Sequence, residues 1–317
     1  MKLIFNKFKF FLKKIKIIRK IKKKLDTDKL YTLILNILPK VICVDIGASY
    51  FPHSKWQIFL DSKRTTWIAS DPNSENLSYI KNFDAKCKFK IVKEALDKKP
   101  GTKNIYITNI DSGSSLKKVK IPETMRSRID NNYFYPLKIK KIETTTLNKV
   151  LKIYKENSIF IKLDTQGSEL DILSNVQNLM KKNIILGIET ESSLLAQTCY
   201  VGASKFYKIQ NFLEKNGYEL IKINCYSVNP TMENNNRCFI PNECDSIFSL
   251  RHDIIKKIKL SSKLAMLAFY YSYSLFEEMK NLINNNKDLQ IRLSKNNNLK
   301  NINKLIKKKL NNRLAIF

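Results

Sequence analysis

Between Val41 and Arg251, runs of apolar and β-branched residues alternate with runs at helical spacing. That alternation constrains the chain more than any other feature, because it selects a mainly parallel sheet covered by helices on both faces. Four of the strand-like runs also end on an acid. "KVICVDIG" ends at Asp45, "TTWIASDP" at Asp71 with Pro72 blocking continuation, "IFIKLD" at Asp164, and "NIILGIETE" on Glu189 and Glu191. One such acid means little, since Asp is common in turns. Four beyond successive strands converge on the crevice where an open α/β sheet binds its ligand.

The helical runs between them are "SKWQIFLDSK", "NSENLSYIKNF" with an Asn or Ser cap, and "SELDILSNVQNLMKK". The last carries Leu170, Leu173, Val176 and Leu179 on one face. "CKFKIVKEAL" reads as a third strand. From Lys98 to Ile142 the periodicity weakens to a short strand, a small-residue loop "IDSGSSL" and another strand, "YPLKIKKIETTTL". "KFYKIQNFLEKNGYELIKIN" is a helix, a Gly217 C-cap and a strand, and "CDSIFSLR" a last strand. An apolar helix from Ser261 and a Lys/Asn-rich tail close the chain.

The net charge is +30, but the charge lies mostly at the ends. Residues 1–24 hold 11 Lys and Arg and no acid, and residues 254–317 hold 14 against three acids, so the middle carries a balance of only +8. The chain thus divides into three segments: a basic amphipathic N-terminal extension over 1–40, the α/β domain over 41–253, and a basic helical extension over 254–317. No apolar run of 18 residues exists to span a membrane. Ile4, Phe8, Phe11, Ile15, Ile18 and Leu25 share one helical face among lysines. That face suits either an anionic lipid surface or the edge of the domain. The expected location is cytoplasmic, with the N-terminal helix as the point of peripheral contact with the inner face of the membrane. The six cysteines lack a CxxC and read as reduced thiols, not as a disulfide framework or metal site.

In "VDIGASY", Gly47 would let the backbone approach a ligand, with the following amides at its polar end. The dinucleotide fingerprint needs three glycines, and Gly47 stands without the others, against a pyrophosphate cradle. Asp71, 26 positions after Asp45, is where a carboxylate accepts hydrogen bonds from ribose hydroxyls. A ligand with a ribose and no phosphate fits both facts, and S-adenosylmethionine is one.

The ordered series "VDIGASYFPHSKW", "IASDPN", "EALDKKPGTKNIYITNIDSGSSL", "TTLNKVL", "IKLDTQGSELDIL" and "GIETE" resembles the FkbM family of methyltransferases, from about Val41 to Arg251. The resemblance implies a class I methyltransferase fold: a Rossmann-like three-layer sandwich on a mainly parallel seven-stranded sheet with the last strand antiparallel. It also implies S-adenosylmethionine as methyl donor and a hydroxyl, often on a sugar or polyketide, as acceptor. By position, Asp45, Gly47, Ala48 and Ser49 would meet the methionine end, Asp71 the ribose with Pro72 and Asn73 beside it, and Glu94 and Ala95 the adenine. Asp164 and Glu169 would border the methyl or the acceptor, with Glu189 facing them. The chain departs from the family in reading "YFPH" where a further glycine is usual, and in having Asp71 and Asn148 where Glu and Asp are frequent.

An alcohol acceptor benefits from a base, which Asp164 or Glu189 would supply. Asp164 also suits a cofactor-side role or that of an acid at a helix N-terminus. Neither histidine is expected as the base, although His53 borders the crevice and is the better placed. Two other readings stay open. A nucleic-acid methyltransferase is suggested by the charge, against which "DTQG" stands where base-amino methylation usually needs Asn or Asp followed by Pro-Pro and an aromatic. A membrane-associated scaffold that kept the fold without activity is the other.

Overall fold

The computed structural model describes residues 28–121, 135–154, 157–226, 231–233, 236–238, 243–295 and 298–314. The basic helix read over residues 1–25 therefore lies outside the described residues. Strand-forming runs give β1 (Val41–Ile46), β2 (Thr65–Ser70), β3 (Lys88–Val92), β4 (Ala95–Leu96), β5 (Gly101–Thr108), β6 (Pro136–Thr145), β7 (Ser158–Leu163) and β8 (Ile185–Ser193). β9 (Tyr218–Tyr226), β10 (Thr231–Glu233), β11 (Asn236–Cys238) and β12 (Glu243–Leu250) come next. Seven of these form one sheet in the order β3-β2-β1-β7-β8-β12-β9. All neighbours are parallel except at β12, which runs antiparallel to both β8 and β9. The strand and helix alternation led us to expect the mainly parallel sheet, and the family resemblance implied this class I methyltransferase arrangement of it. Every residue of β1 is buried, as a central strand covered on both faces requires.

The helices are α1 (Lys29–Ile37), α2 (Gln57–Leu60), α3 (Ser74–Lys81), α4 (Leu147–Leu151), α5 (Glu169–Ser174), α6 (Gln177–Lys181) and α7 (Phe206–Lys215). After β12 come α8 (His252–Ile255), α9 (Leu260–Ser272), α10 (Phe276–Asn284), α11 (Lys287–Ser294) and α12 (Asn298–Leu314). Right-handed crossovers put α2 and α3, which follow β1 and β2 outward, on one face and α5 to α7 on the other. Phe160 on β7 marks the first face: its ring lies 5.3 Å from Phe59 of α2 and stacks at 4.8 Å on Phe269 of α9.

α9 is therefore part of the sandwich. Ten consecutive residues of it, Ser262 to Tyr271, are buried, and one hydrophobic cluster runs from Leu30 in α1 through the sheet to Ile306 in α12. Asp28 ties the two ends together. It caps α1 through Leu30 N at 3.0 Å and also accepts from the Tyr271 hydroxyl at 2.8 Å and from Lys309 Nζ at 2.6 Å. The boundary drawn at residue 253 is thus a change in charge composition, with the core continuing across it. Lys263 shows how a basic helix enters that core. Its ammonium, on a side chain 5% exposed, meets both oxygens of Asp288 at 2.9 Å and the Lys256 carbonyl at 3.1 Å.

The weakly periodic stretch after residue 98 forms a second sheet, β4-β6-β5. The run read as one third strand divides at Val92: Ala95 and Leu96 pair with Thr144 and Thr145 of β6. β5 and β6 form a long antiparallel ribbon whose outer face leaves Leu137 61% and Ile139 59% exposed. Apolar side chains on a solvated face explain why the periodicity weakens there although both strands were read.

Candidate functional site

Beyond the carboxyl ends of β1, β2 and β7 lies a cavity of about 400 Å³, roofed by the β5–β6 ribbon. Gly47, Ser49, Asp71, Pro72, Asn73, Ala95 and Asp164 all line it, as do Asn76, Asp111, Thr165 and Ser168. Leu96, Ile105, Ile107 and Ile142 supply an apolar side that suits a flat aromatic base. Asp45, Ala48, Glu94 and Glu189 are not on its wall. Asp45 and Ala48 are 1% exposed, and Glu94 follows the end of β3 with its carbonyl accepting from Ser70 Oγ at 3.4 Å. The amides of Gly47 and Ala48 donate to the Ser70 carbonyl at 2.9 and 3.2 Å, so they close the β1–β2 edge and are not turned to a ligand.

The polar wall is built around Asp71. Its Oδ1 accepts Asn73 N–H at 2.7 Å, and Asn73 and Asn76 each donate a side-chain amide to Asp111 at 3.1 and 2.9 Å. Burial pushes the Asp71 carboxyl up to about 7; the nearby Asp111 adds to this, and the Asn73 hydrogen bond only partly opposes it. Asn76 Oδ1 and Ser168 Oγ, on residues 3% and 1% exposed, have no hydrogen-bond partner among the described residues. Both residues line the cavity, so it presents buried polar atoms that lack partners.

Asp164 and its loop form the opposite wall. Gln166, held at φ +57°, donates to Asp164 Oδ1 at 2.9 Å and to Glu191 Oε2 at 2.5 Å. Glu169 is 2% exposed and folds the loop by accepting Thr165 N–H at 2.9 Å, the Thr165 hydroxyl at 2.8 Å and Gly167 N–H at 3.2 Å. Its role is thus to hold the loop that faces the cavity. Gly167 does not make room for a ligand, since a Cβ there would meet Ala203 Cβ at 2.7 Å. Burial pushes Asp164 up, but Lys162 and the bonds from Glu191 and Gln166 outweigh it and leave the carboxyl below its usual range. Burial, with the Asp164 charge next, raises Glu191 well above its usual range, so Glu191 carries the proton between them. Burial and the same charge push Glu243 up to about 7.

A row of charge that the sequence reading missed crosses the sheet beneath this loop. Strand register puts Asp45, Lys162 and Glu189 side by side on β1, β7 and β8. Lys162 Nζ stands 3.6 Å from Asp45, 3.2 Å from Asp164 and 3.4 Å from the Gly47 carbonyl. Burial alone would lower its pKa, yet the Asp164 and Asp45 charges raise it, so the ammonium stays charged. Parity was the available signal: in parallel strands paired in register, these three must share a face. Asp45 Oδ2 also accepts His53 N–H at 3.0 Å, which anchors the loop after β1.

A protein-family model described as the methyltransferase FkbM domain matches residues 55–220, more than half of the chain. The chain belongs to the FkbM methyltransferase family. Within this FkbM protein the match runs from just after the segment that holds Gly47 and His53, through β2 to β8 and α7, to the start of β9. No curated protein matches the sequence. Among solved structures, similarity extends to a precorrin-6y C5,15-methyltransferase from Geobacter metallireducens GS-15, at 13% identity and a TM-score of 0.34 over 70% of this chain and 88% of that one. Magnesium protoporphyrin IX methyltransferase from Synechocystis PCC 6803 with bound SAM is 8% identical, with a TM-score of 0.33 over 74% and 79% of the two chains. TrmK from M. capricolum in complex with S-adenosyl-homocysteine is 11% identical, with a TM-score of 0.30 over 88% and 96%.

Proposed function

We propose that this FkbM protein is an S-adenosylmethionine-dependent O-methyltransferase acting on a hydroxyl of a sugar, in a glycan or glycolipid, or of a small metabolite. The observation that carries the reading is the cavity in which the Asp71 carboxylate, Asn76 Oδ1 and Ser168 Oγ lie together. These groups fit the donor. Asp71 would accept from the ribose hydroxyls, Asn76 and the Leu96–Ile142 side would take the adenine, and Gly47, Ser49 and Ser168 would border the amino-acid end. When bound, S-adenosylmethionine supplies a methyl group already activated on a sulfonium. The protein's own work is then alignment and exclusion of water. Asp164, kept ionised by Lys162, favours positive charge at that end of the cavity.

The mixed lining suits a neutral acceptor. Asp71, Asp111 and Asp164 share the cavity wall with Lys138 and Lys140, so it offers no one-signed basic surface to a polyanion such as nucleic acid. Among the described residues no helix is long and apolar enough to cross a membrane. Residues 1–24, basic and free of acids, would bring the enzyme to an anionic lipid surface and so to a lipid-carried sugar. Loss of binding to anionic liposomes on deleting them would support that, and no binding by the full chain would remove it.

The deciding experiment is calorimetric titration of S-adenosylmethionine and S-adenosylhomocysteine into wild type and Asp71→Asn. Binding that the substitution weakens supports the reading. A folded protein that binds neither would make the chain a scaffold that kept the fold.

A further inference from the structure

Residues 287–314, which include α11 and α12, hold nine Lys and Arg against one acid. That acid, Asp288, already has both oxygens on Lys263. On α12, Lys300, Lys304, Lys307 and Lys308 recur at helical spacing and are exposed, opposite the buried Ile302 and Ile306. Among the described residues none of the four has a hydrogen bond or ion pair, whereas Lys309 meets Asp28. On α11 and its C-cap, Lys287, Ile291 and Lys295 follow at four-residue spacing and share one exposed face. Ile291 is 59% exposed there, an apolar side chain set between two lysines.

The segment 1–24, with 11 Lys and Arg and no acid, leads into Asp28, which Lys309 Nζ holds at 2.6 Å. Both basic parts of the chain therefore converge on one corner. α9 shows which end of the sheet that corner belongs to. Near its start Ser262 meets Ser158, the first residue of β7. At its C-cap Tyr273 donates to Glu189, whose β7 neighbour Lys162 is the last residue but one of that strand. Tyr271, two residues before Tyr273, donates to Asp28. The Asp28–Lys309 contact thus lies toward the carboxyl ends of the strands, the end that carries the cavity.

We propose that the exposed face of α11 and α12 docks on an anionic lipid surface, a structured contact beyond the one proposed for segment 1–24. Lysines near such a surface are attracted by the negative potential of the headgroups, and the attraction adds over a cluster. Ile291 enters the headgroup region, as apolar side chains flanked by lysines do on membrane-bound helices. Single-stranded nucleic acid asks instead for aromatic side chains on which bases stack. Residues 287–314 contain no aromatic residue. The face extends to the end of the sheet that holds the cavity, where a lipid-carried acceptor would be offered; that consequence alone rests on the O-methyltransferase reading.

The test is co-sedimentation of the full chain with vesicles of equal parts phosphatidylcholine and phosphatidylserine, with phosphatidylcholine alone as the neutral control. Wild type should bind the anionic vesicles, less so as salt rises; no binding would overturn the proposal. Lys300→Gln, Lys304→Gln, Lys307→Gln and Lys308→Gln combined should weaken binding by about 100-fold or more, at about fivefold per lysine. The same charge taken from exposed Lys181, Lys182, Lys208 and Lys215, from the α6–α7 layer on the opposite face of the sheet, should cost far less. Equal losses in the two variants would overturn the proposal, because net charge alone would then account for binding. Ile291→Ser, which changes no charge, should weaken binding about fivefold. A DNA oligonucleotide bound more tightly than the vesicles, with Ile291→Ser affecting neither, would assign the face to nucleic acid instead. Wild type that binds the vesicles but no S-adenosylmethionine would leave the docking surface standing and bring down only the methyltransferase reading.

Discussion

A Cβ built on Gly47 would lie 1.8 Å from the carbonyl oxygen of Asp164. The two strand ends that frame the cavity are thus in backbone contact, and Asp164 N–H donates to the Ile46 carbonyl at 3.0 Å. Gly47 also holds φ +73°, a conformation L side chains rarely adopt. Its glycine is required by the neighbouring strand, before any ligand arrives.

Gly47→Ala should therefore cost about 3 kcal/mol or more, at the upper end of single substitutions. Denaturant unfolding measures it. A melt close to wild type would mean that β1 and β7 part without penalty.

Asp71 gives a pH dependence with a definite sign. Its folded pKa, raised to about 7 by burial first and Asp111 next, exceeds the unfolded value. The folded state then binds the extra proton, so this group's contribution is greatest at low pH and declines as pH rises through 7. Asp71→Asn should remove that decline, gaining on wild type between pH 5 and 8 in urea unfolding while binding S-adenosylmethionine more weakly. Parallel stability curves for the two proteins would contradict it.

Tyr273→Phe removes the acceptor of Trp56 Nε1, which is buried, and a donor to Glu189. Orphaning such groups costs about 1–3 kcal/mol each. The loss should appear as a lower unfolding midpoint with an unchanged m-value.

Phe269 packs on Phe160 and over Gly187, whose Cβ would stand 2.5 Å from the Phe269 ring. Phe269→Ala should cost about 3–5 kcal/mol. Deletion of residues 254–317 should leave no cooperatively folding protein, because α9 covers one face of β7 and β8. A truncated chain with a sharp thermal transition would show that the domain closes without α9.

The elements that were legible were those whose surroundings repeat along the chain. β1, β2, β7 and β8 are buried on both faces and read as apolar runs, and their terminal acids followed directly. The two strands of the β5–β6 ribbon were read, but their place in a separate sheet over the cavity was not, because Leu137 and Ile139 face solvent while Lys138 and Lys140 turn to the cavity. The site divided similarly. Asp71 and Asp164 were found from position alone, but their companions Asn76, Asp111 and Ser168 carry no local signature. Glu189 was noticed for its place at a strand end, yet its partners His53 and Lys55 lie more than 130 residues earlier.

The sequence by itself determined the alternation of strand and helix, the family, and the concentration of carboxylates at one end of the sheet. Each follows from residue types at short spacing, where neighbours in the chain are neighbours in space. Only the tertiary structure decided that Asp71 and Asp164 share a cavity while Asp45 and Glu189 turn to the other side with Lys162. Successive residues along a strand point to opposite faces, and which face meets α9 is settled by the packing of distant segments.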